Sequence, residues 1–257
     1  ISEVDLVDDA LRFQNVTTID KKNLNVITGP TGGVEGLIST LAGVSSKNEM
    51  SSQYSVRGGN YDENLVYVNG FEIYRPFLVR SGEQEGLSFI NSDMVENISF
   101  SAGGFEARYG DKLSSVLDIK YKDPKSWKSH LTLSFLGLNA TVEGINPSKR
   151  WSHVTSYRQK DNQFLLSTLD TESDYMPRFK DFQTLNTYHF NPQVKLSVLA
   201  HYSSNTYHSV PESRQSEFGT VDKPLQLNIY FDGQEKDAYE TGMGAIRFDY
   251  QIHDSLQ

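Results

Sequence analysis

The feature that most limits the possible folds of this chain is a long alternation of apolar and polar residues in its second half. From about residue 129 onward, large apolar residues occupy every second position, with small polar or charged residues between them. Successive side chains of a β-strand point to opposite sides of the sheet, so this period of two predicts strands with one apolar and one polar face. The pattern is clearest in 129–135, 151–158, 194–203 and 244–252.

The connections between these runs differ in length. Turn-forming residues make short connections at 146–149, 191–193 and 253–255, whereas the polar segments 161–177 and 204–238 are long. With a tight reversal at 137–139 the region holds six strands, and the three short turns fall on one end of the sheet. Bacterial membrane barrels have this asymmetry, but a soluble antiparallel sandwich also alternates, so the pattern alone leaves both architectures open.

The first third of the chain has a different texture. Glycines are frequent over 28–115 and separate short apolar runs, which predicts a small α+β unit with many tight turns. Apolar residues at helical spacing predict a helix over 34–41 that ends near Gly43. The runs 65–68, 95–100 and 116–121 are predicted strands.

Composition and motifs argue against several classes of function. A net charge of −9 disfavours nucleic acid as a partner, and the lack of cysteine removes disulfides and thiol chemistry. The six histidines have no metal-ligand spacing, and no phosphate-binding, dinucleotide, calcium-loop or nucleophile-elbow motif occurs. The sequence therefore predicts no enzyme, no cofactor and no metal site.

Five motifs, in order, resemble the plug domain of TonB-dependent outer-membrane receptors. Residues 34–44 resemble its early helix and the "L-x-x-x-P-G-V" end, with Ala42 where the family has proline. Residues 54–58 (Tyr-Ser-Val-Arg-Gly) resemble its "I-R-G" strand, and 65–70 (Leu-Val-Tyr-Val-Asn-Gly) resemble "V-L-V-D-G". Residues 94–100 stand where the family has "V-E-R-I-E-V", and 109–119 resemble "Y-G-…-G-V-I-N-I" without the usual glycine before the strand.

The resemblance implies an α+β plug domain followed by strands of an antiparallel transmembrane β-barrel. We expect a lead-in segment at 1–25, the plug at 26–125 and about six barrel strands over 126–257. Family barrels have about 22 strands, so six cannot close one, and we expect a fragment or an incomplete structure. The rival interpretation is a soluble β-rich binding or adhesion module, in which the apolar faces of 129–257 pack together as a core.

Function and partners also follow from the resemblance. It implies an outer-membrane receptor of a Bacteroidetes-like type that takes up a siderophore, corrinoid, glycan or peptide while the plug gates the barrel lumen. An energising TonB-type protein in the periplasm is the implied partner. Glycan- and peptide-importing relatives add a surface lipoprotein, a further candidate partner.

Ligand-contacting residues are expected in outward loops of the plug. These loops combine polar groups with turn-forming residues, and in the resembling family such loops meet ligand. One loop offers Lys47, Asn48, Glu49 and Gln53, a second offers Arg75, Phe77 and Arg80, and a third offers Asn60, Tyr61 and Asp62.

Arg57 is the notable charge within the motif strand at 54–58. A guanidinium fork can pair with two carboxylates, so Arg57 is predicted to lock the plug to the barrel wall, with a solvent-facing arginine at a strand end as the alternative. Asn69 and Gly70 are predicted to form a turn that requires positive φ. Gly58 and Gly110 are predicted to have structural turn roles as well.

Overall fold

The computed structural model divides the chain into two compact units. It describes residues 16–19, 24, 33–46, 52–76, 80–81, 84–85, 87–135, 137–161, 173–211, 213–220, 223–230, 233 and 235–251. The first unit consists of Ile1–Pro76 and Ile90–Lys122, and the second of Phe77–Phe89 and Asp123–Gln257. In the described part of the chain, no helix is long and apolar enough to cross a membrane.

One α-helix and seventeen strands are assigned to the described residues. The helix α1 is Val34–Ile38. The strands are β1 Val16–Ile19, β2 Val44–Ser46, β3 Tyr54–Val56, β4 Asn64–Val68, β5 Phe71–Glu72, β6 Arg80–Ser81, β7 Gln84–Glu85, β8 Val95–Ser101, β9 Ser115–Tyr121, β10 Lys128–Ser134, β11 Gly137–Ile145, β12 Trp151–Asp161, β13 Ser173–Asn191, β14 Val194–Pro211, β15 Arg214–Thr220, β16 Lys223–Ile229 and β17 Glu235–Tyr250.

The first unit is built on a five-stranded sheet in the order β1-β8-β9-β4-β5. The pair β4–β9 is parallel and the others are antiparallel. The fully buried side chains Ile38, Ile98 and Leu117 lie in its apolar core. The three predicted strands are confirmed as β4, β8 and β9. The predicted helix is shorter than expected, because after Ile38 the backbone closes tighter turns in which Leu41 N–H donates to the Ile38 carbonyl.

The Asn69–Gly70 turn has the geometry that its sequence predicts. Asn69 has φ 52° and Gly70 has φ 78°, and the turn joins β4 to β5 with Val68 opposite Phe71. The Asn69 side chain adds a second link, because its Oδ1 accepts a hydrogen bond from Tyr121 N–H at 2.7 Å. Asparagine tolerates the left-handed conformation and also fastens β9 to the turn.

The second unit contains a six-stranded antiparallel sheet in the order β10-β11-β12-β13-β14-β17. The predicted number of strands is confirmed, and the sheet stays open, with β10 and β17 at its two edges. The reversal between the first two strands falls before Gly137 and not at 137–139. Gly137 itself pairs with Lys160 at φ 149°, and a Cβ there would lie 2.0 Å from the Gln159 carbonyl oxygen.

Most of the expected polar segment 204–238 is strand, so that part of the prediction is wrong, and the described residues 173–177 of the other segment are also strand. β13 begins at Ser173, β14 runs to Pro211 and β17 begins at Glu235, and β15 pairs with β16 inside the segment 204–238. Polar residues continue these strands because their backbone groups are paired across continuous ladders between β13, β14 and β17. Composition did not indicate that pairing.

The six-stranded sheet buries its polar face. In β12 the buried positions are Ser152, Val154 and Ser156, while Trp151 on the other side is exposed. The exposed face carries Leu131, Leu133, Phe135, Val142, Trp151, Phe182, Tyr188, Phe190, Tyr202, Ile246, Phe248 and Tyr250. A soluble sandwich would bury these apolar side chains as its core, so this pattern contradicts the soluble-module interpretation and matches a membrane sheet.

Candidate functional site

A buried ion pair lies at the centre of the polar face of the six-stranded sheet. Arg158 on β12 stands directly opposite Asp181 on β13. Arg158 Nε donates to Asp181 Oδ1 at 2.7 Å and Nη2 donates to Oδ2 at 2.6 Å, which is a bidentate pair. The Asp181 side chain is 0% exposed and that of Arg158 is 11% exposed. Such geometry is what compensates two charges for their removal from water.

Two further polar side chains surround the same carboxylate. Gln183 Nε2 donates to Asp181 Oδ2 at 3.2 Å, and His201 Nε2 lies 3.2 Å from the same oxygen. Both side chains are buried. We call Arg158, Asp181, Gln183 and His201 the wall cluster, and its members come from three adjacent strands, β12, β13 and β14.

The wall cluster binds the backbone of residues 88–89, which belong to the same unit. Arg158 Nη2 donates to the Ser88 carbonyl at 2.8 Å, and Gln183 Nε2 donates to the Phe89 carbonyl. The Phe89 ring packs on the His201 ring with centroids 4.8 Å apart. Two consecutive carbonyls and one aromatic ring are thereby held on the sheet.

The sequence analysis did not predict the wall cluster. Arg158 and Asp181 are 23 positions apart, and their pairing depends on the register of β12 against β13. The detectable signal was that Arg158, Asp181 and Gln183 occupy polar-phase positions of strands, where a buried charge needs a partner. Alternation gives the face of each side chain but not its cross-strand neighbour.

The polar face continues along β14 past the wall cluster. Ser203 Oγ and both side-chain amide atoms of Asn205 are buried, and none has a hydrogen-bond partner among the described residues. These side chains follow His201 at every second position. Leaving such groups unpaired costs about 1–3 kcal/mol each, which makes this strip the least satisfied polar surface of the described sheet.

Four of the ten predicted ligand-contacting residues lie outside the described residues, namely Lys47, Asn48, Glu49 and Phe77. Gln53 is buried just before β3, and Arg75 is exposed after β5. Arg80 is in β6, opposite Glu85 on β7. Contact of any of these residues with a ligand stays a prediction.

The third predicted loop is held to the first unit by hydrogen bonds. Asn60 caps a short 3-10 turn, Tyr61–Glu63, by accepting from Tyr61 N–H at 3.0 Å. The Asp62 carbonyl accepts from Lys112 Nζ, and Glu63 Oε2 accepts from Ser114 Oγ at 2.7 Å. The Asn60 and Asp62 side chains are exposed and remain available to a ligand.

The chain that precedes this loop passes very close to residue 114. A Cβ added to Gly59 would lie 1.8 Å from Ser114 Oγ, so only glycine fits there. Ser115 Oγ donates to Asn64 Oδ1 at 2.7 Å, and Asn64 Nδ2 donates to the Tyr54 carbonyl at 2.7 Å. Gly59 was not among the predicted turn residues, although it has the stricter requirement for glycine.

Burial raises the pKa of the Tyr54 hydroxyl, and the nearby Glu35 carboxylate raises it further. Tyr54 is on β3 and is 2% exposed. The hydroxyl therefore stays protonated over the whole neutral range and well above it. Its role in the first unit is to pack, with its ring at the edge of Phe100 at 6.3 Å.

Arg57 lies in a turn and not within a strand as predicted. β3 ends at Val56, and Arg57 and Gly58 have φ 50° and 81° in a turn that Gly59 N–H closes on the Val56 carbonyl at 2.9 Å. The Arg57 side chain is exposed and forms no ion pair with a residue that the structure describes. The predicted lock between Arg57 and a barrel wall stays a prediction.

The segment around Gly110 is held by its neighbour Tyr109. Tyr109 Oη donates to Asp118 Oδ2 at 2.7 Å, and the Arg108 guanidinium lies 4.6 Å from the Tyr109 ring centroid. Burial and the bond to Asp118 raise the pKa of the Tyr109 hydroxyl. Gly110 has no left-handed φ, and a Cβ there would meet no atom within 4 Å, so the surrounding structure does not require glycine at this position, and its turn role stays a prediction.

The described residues contain no group of three or more His, Asp or Glu side chains that could hold a metal ion. Their strongest polar arrangement is the wall cluster, which binds backbone carbonyls. These hydrogen bonds attach residues 88–89 to the six-stranded sheet.

The two units together define a class of protein: a small α+β plug domain and an open part of a β-barrel wall whose apolar face points outward. Comparison with known families supports the plug assignment for the first part of the chain. Residues 13–115 match the model of the TonB-dependent receptor plug domain. Residues 13–115 therefore carry a plug domain of the TonB-dependent receptor type.

Solved receptors share the fold at low sequence identity. The siderophore receptor PirA from Acinetobacter baumannii is 15% identical, with a TM-score of 0.54 over 89% of this chain and 44% of its own. The ferric enterobactin receptor PfeA from Pseudomonas aeruginosa, in a G324V mutant form, is 15% identical, with a TM-score of 0.52 over 89% of this chain and 40% of its own. The receptor FpvA from P. aeruginosa, bound to a heterologous pyoverdine, is 15% identical, with a TM-score of 0.53 over 90% of this chain and 31% of its own.

The chain spans less than half the length of each of these receptors. It matches no curated protein in sequence. These structures are similar to the chain in fold, and their ligands are their own.

Proposed function

We propose that the chain acts in the energised uptake of a ligand across the outer membrane, with the first unit as the gate of the barrel lumen. The observation that carries this proposal is the reversed burial of the six-stranded sheet, whose aromatic and aliphatic face is exposed while its charged and amide-rich face is buried. A wall with lipid outside and a polar filling inside requires this arrangement. The plug-domain match over 13–115 supports a filling of this kind.

The partners follow from the same proposal. A TonB-type protein in the periplasm supplies energy through the segment that precedes the plug, and a ligand binds from outside. Siderophore, corrinoid, glycan and peptide are the candidate ligand classes, and the siderophore receptors of the same fold favour testing iron complexes first. A surface lipoprotein partner stays a prediction that follows from the glycan and peptide classes, as does a Bacteroidetes-like lineage.

The experiment is an uptake assay with the full-length receptor. Cells of a Gram-negative strain with and without TonB would express it and receive four probes separately: ⁵⁵Fe-loaded siderophores, labelled cobalamin, labelled oligosaccharides and labelled peptides. We expect one probe class to accumulate only in cells that have TonB, and a protonophore to abolish that accumulation. Equal accumulation of every probe with and without TonB would contradict the proposal.

A deletion variant sharpens the test of gating. Removing residues 33–122 takes away most of the first unit together with the segment Phe77–Phe89. If this unit closes the lumen, the variant admits small hydrophilic antibiotics without TonB, whereas the intact receptor does not. Equal antibiotic sensitivity of the two strains, with both proteins in the outer membrane, would contradict gating by the first unit.

A further inference from the structure

The segment Phe77–Phe89 belongs by its contacts to a different unit from its neighbours in sequence. The strands β5, before the segment, and β8, after it, belong to the five-stranded sheet of the first unit. The segment itself groups with the strands that follow Asp123. The chain thus leaves the first unit after Pro76 and returns to it at Ile90.

The wall cluster explains this grouping in atomic terms. Consecutive carbonyls of Ser88 and Phe89 accept hydrogen bonds from Arg158 and Gln183, and the Phe89 ring packs on His201. Ser88 and Phe89 are both buried. The segment is thus held by two bonds to its backbone and by the ring of Phe89.

The attachment depends on a buried charge pair. Arg158 binds Asp181 with two hydrogen bonds and the Ser88 carbonyl with another. Removal of the arginine would leave the Asp181 carboxylate buried without its main partner, and it would remove the bond from Arg158 to the Ser88 carbonyl. Charge-assisted bonds of this kind are about twice as strong as neutral ones.

The same two strands provide a natural control pair. Asp161 on β12 stands directly opposite Arg178 on β13, as Arg158 stands opposite Asp181. Positions 158 and 161 point to opposite faces of β12. The Asp161–Arg178 pair, at 3.4 Å, is largely exposed and holds no carbonyl of Ser88 or Phe89.

We propose that Arg158, Asp181, Gln183 and His201 are positioning residues that keep the segment 77–89 on the barrel wall while the rest of the plug is displaced. The inference rests on the proposed function in one respect, since displacement of the plug is taken as the transport step. Arg80 on β6 lies in the attached segment, so ligand contacts made by the hairpin β6–β7 stay with the wall during that displacement.

The test is mechanical extraction of the plug from the full-length receptor. The receptor would be reconstituted in a lipid bilayer and pulled from a tag that precedes residue 1. An attached segment stops the extraction before residues 90–122 can extend. Breaking the attachment then releases these residues, about 115 Å of extended chain at roughly 3.5 Å per residue. We expect a force peak followed by this release.

Matched variants identify the residues responsible. Arg158→Gln is expected to abolish the peak or to lower its rupture force by about half, and Arg178→Gln is expected to leave it unchanged. If Arg158→Gln does not give a heat-modifiable barrel, Gln183→Leu removes only the bonds of the amide and is expected to lower the peak. Extraction without a stop in the unaltered receptor, or an equal peak in both wall-cluster variants, would overturn the inference. No ligand or TonB takes part, so a negative uptake assay leaves this result unaffected.

Discussion

The first unit and the six-stranded sheet use the same alternating strands in opposite ways. In the first unit, Leu117 on β9 is fully buried and Lys120 on the same strand is exposed. In the six-stranded sheet, Ser203 on β14 is fully buried, whereas Tyr202 beside it is 49% exposed. The side chains alternate in the same way in both regions, but the first unit buries its apolar positions and the six-stranded sheet buries its polar ones.

This difference shows that the buried face of a sheet is no longer its hydrophobic face when the hydrophobic face contacts lipid. In water the apolar face is removed from solvent because that is the main favourable contribution to folding. In a bilayer the apolar face needs no protein cover, and the polar face must find partners inside. The wall cluster is the result: charges and amides at positions that a soluble sheet would fill with leucine.

The largest contrast is expected for a charge placed at an apolar position of each region. Leu117→Asp puts an unpaired carboxylate into the core of the first unit and should destabilise that unit by more than about 4 kcal/mol. Ile246→Asp, on the exposed face of β17, should cost the barrel less than about 2–4 kcal/mol in a bilayer. Urea unfolding of the reconstituted receptor, with hydrogen exchange reporting each region, gives both values. A larger loss for Ile246→Asp would break the comparison.

The second contrast compares the two ion pairs between β12 and β13. Arg158→Gln should destabilise the six-stranded sheet by about 3–5 kcal/mol, since it leaves Asp181 buried and short of partners. Arg178→Gln should cost about 0–1 kcal/mol, because its pair with Asp161 is largely exposed. Guanidinium unfolding of the full-length barrel measures the difference. Equal losses would mean that the burial of Asp181 does not matter energetically.

A third, smaller effect belongs to the turn at Asn69 in the first unit. Asn69→Ala puts a residue that tolerates the left-handed conformation less well than asparagine at φ 52° and removes the bond to Tyr121 N–H, so a loss of about 2 kcal/mol is expected. Asn69→Gly removes the bond but relieves the backbone, and should lose less than the alanine variant. Urea unfolding of the first unit in the receptor separates the two. Identical losses would assign the whole effect to the hydrogen bond.

The smallest effect in the ordinary pH range concerns Tyr54. Burial raises the pKa of its hydroxyl above the ordinary value of 10.0, so the folded unit holds this proton more firmly than the unfolded chain. The contribution is fully present below pH 10, and the free energy of unfolding falls as the pH rises above about 10. Tyr54→Phe should show a shallower fall between pH 9 and 11 in urea titrations. Identical slopes would contradict a raised pKa.

Local pattern predicted the elements of the first unit and the number of strands in the sheet. The strands at 65–68, 95–100 and 116–121 were found because apolar runs end at turn residues such as Asn69 and Gly70. The length of β13 and β14 was missed because polar residues such as Asn205 looked like loop. In this sheet they lie on the buried face.

The candidate site was harder to predict, since it depends on register. Arg57 was chosen from its motif, but it occupies a left-handed turn. Arg158 and Asp181 meet only because β12 and β13 pair in one particular register. A close backbone approach, such as Gly59 to Ser114, is likewise set by tertiary structure. Sequence periodicity predicts which face of the sheet a side chain occupies, but it does not predict which residue on the next strand lies opposite.

The most direct test of the reversed burial is spin-label accessibility along β14. Residues 1–257 contain no cysteine, so once any cysteine in the remainder of the full-length receptor is replaced by serine, single cysteines can be placed at each position from 196 to 203 in a bilayer. We predict that labels at 196, 198, 200 and 202 collide with lipid-soluble oxygen, whereas labels at 197, 199, 201 and 203 are shielded from it. Oxygen collisions in the opposite phase, or equal exposure of both sets to a water-soluble reagent, would contradict a lipid-facing apolar side and a filled polar side.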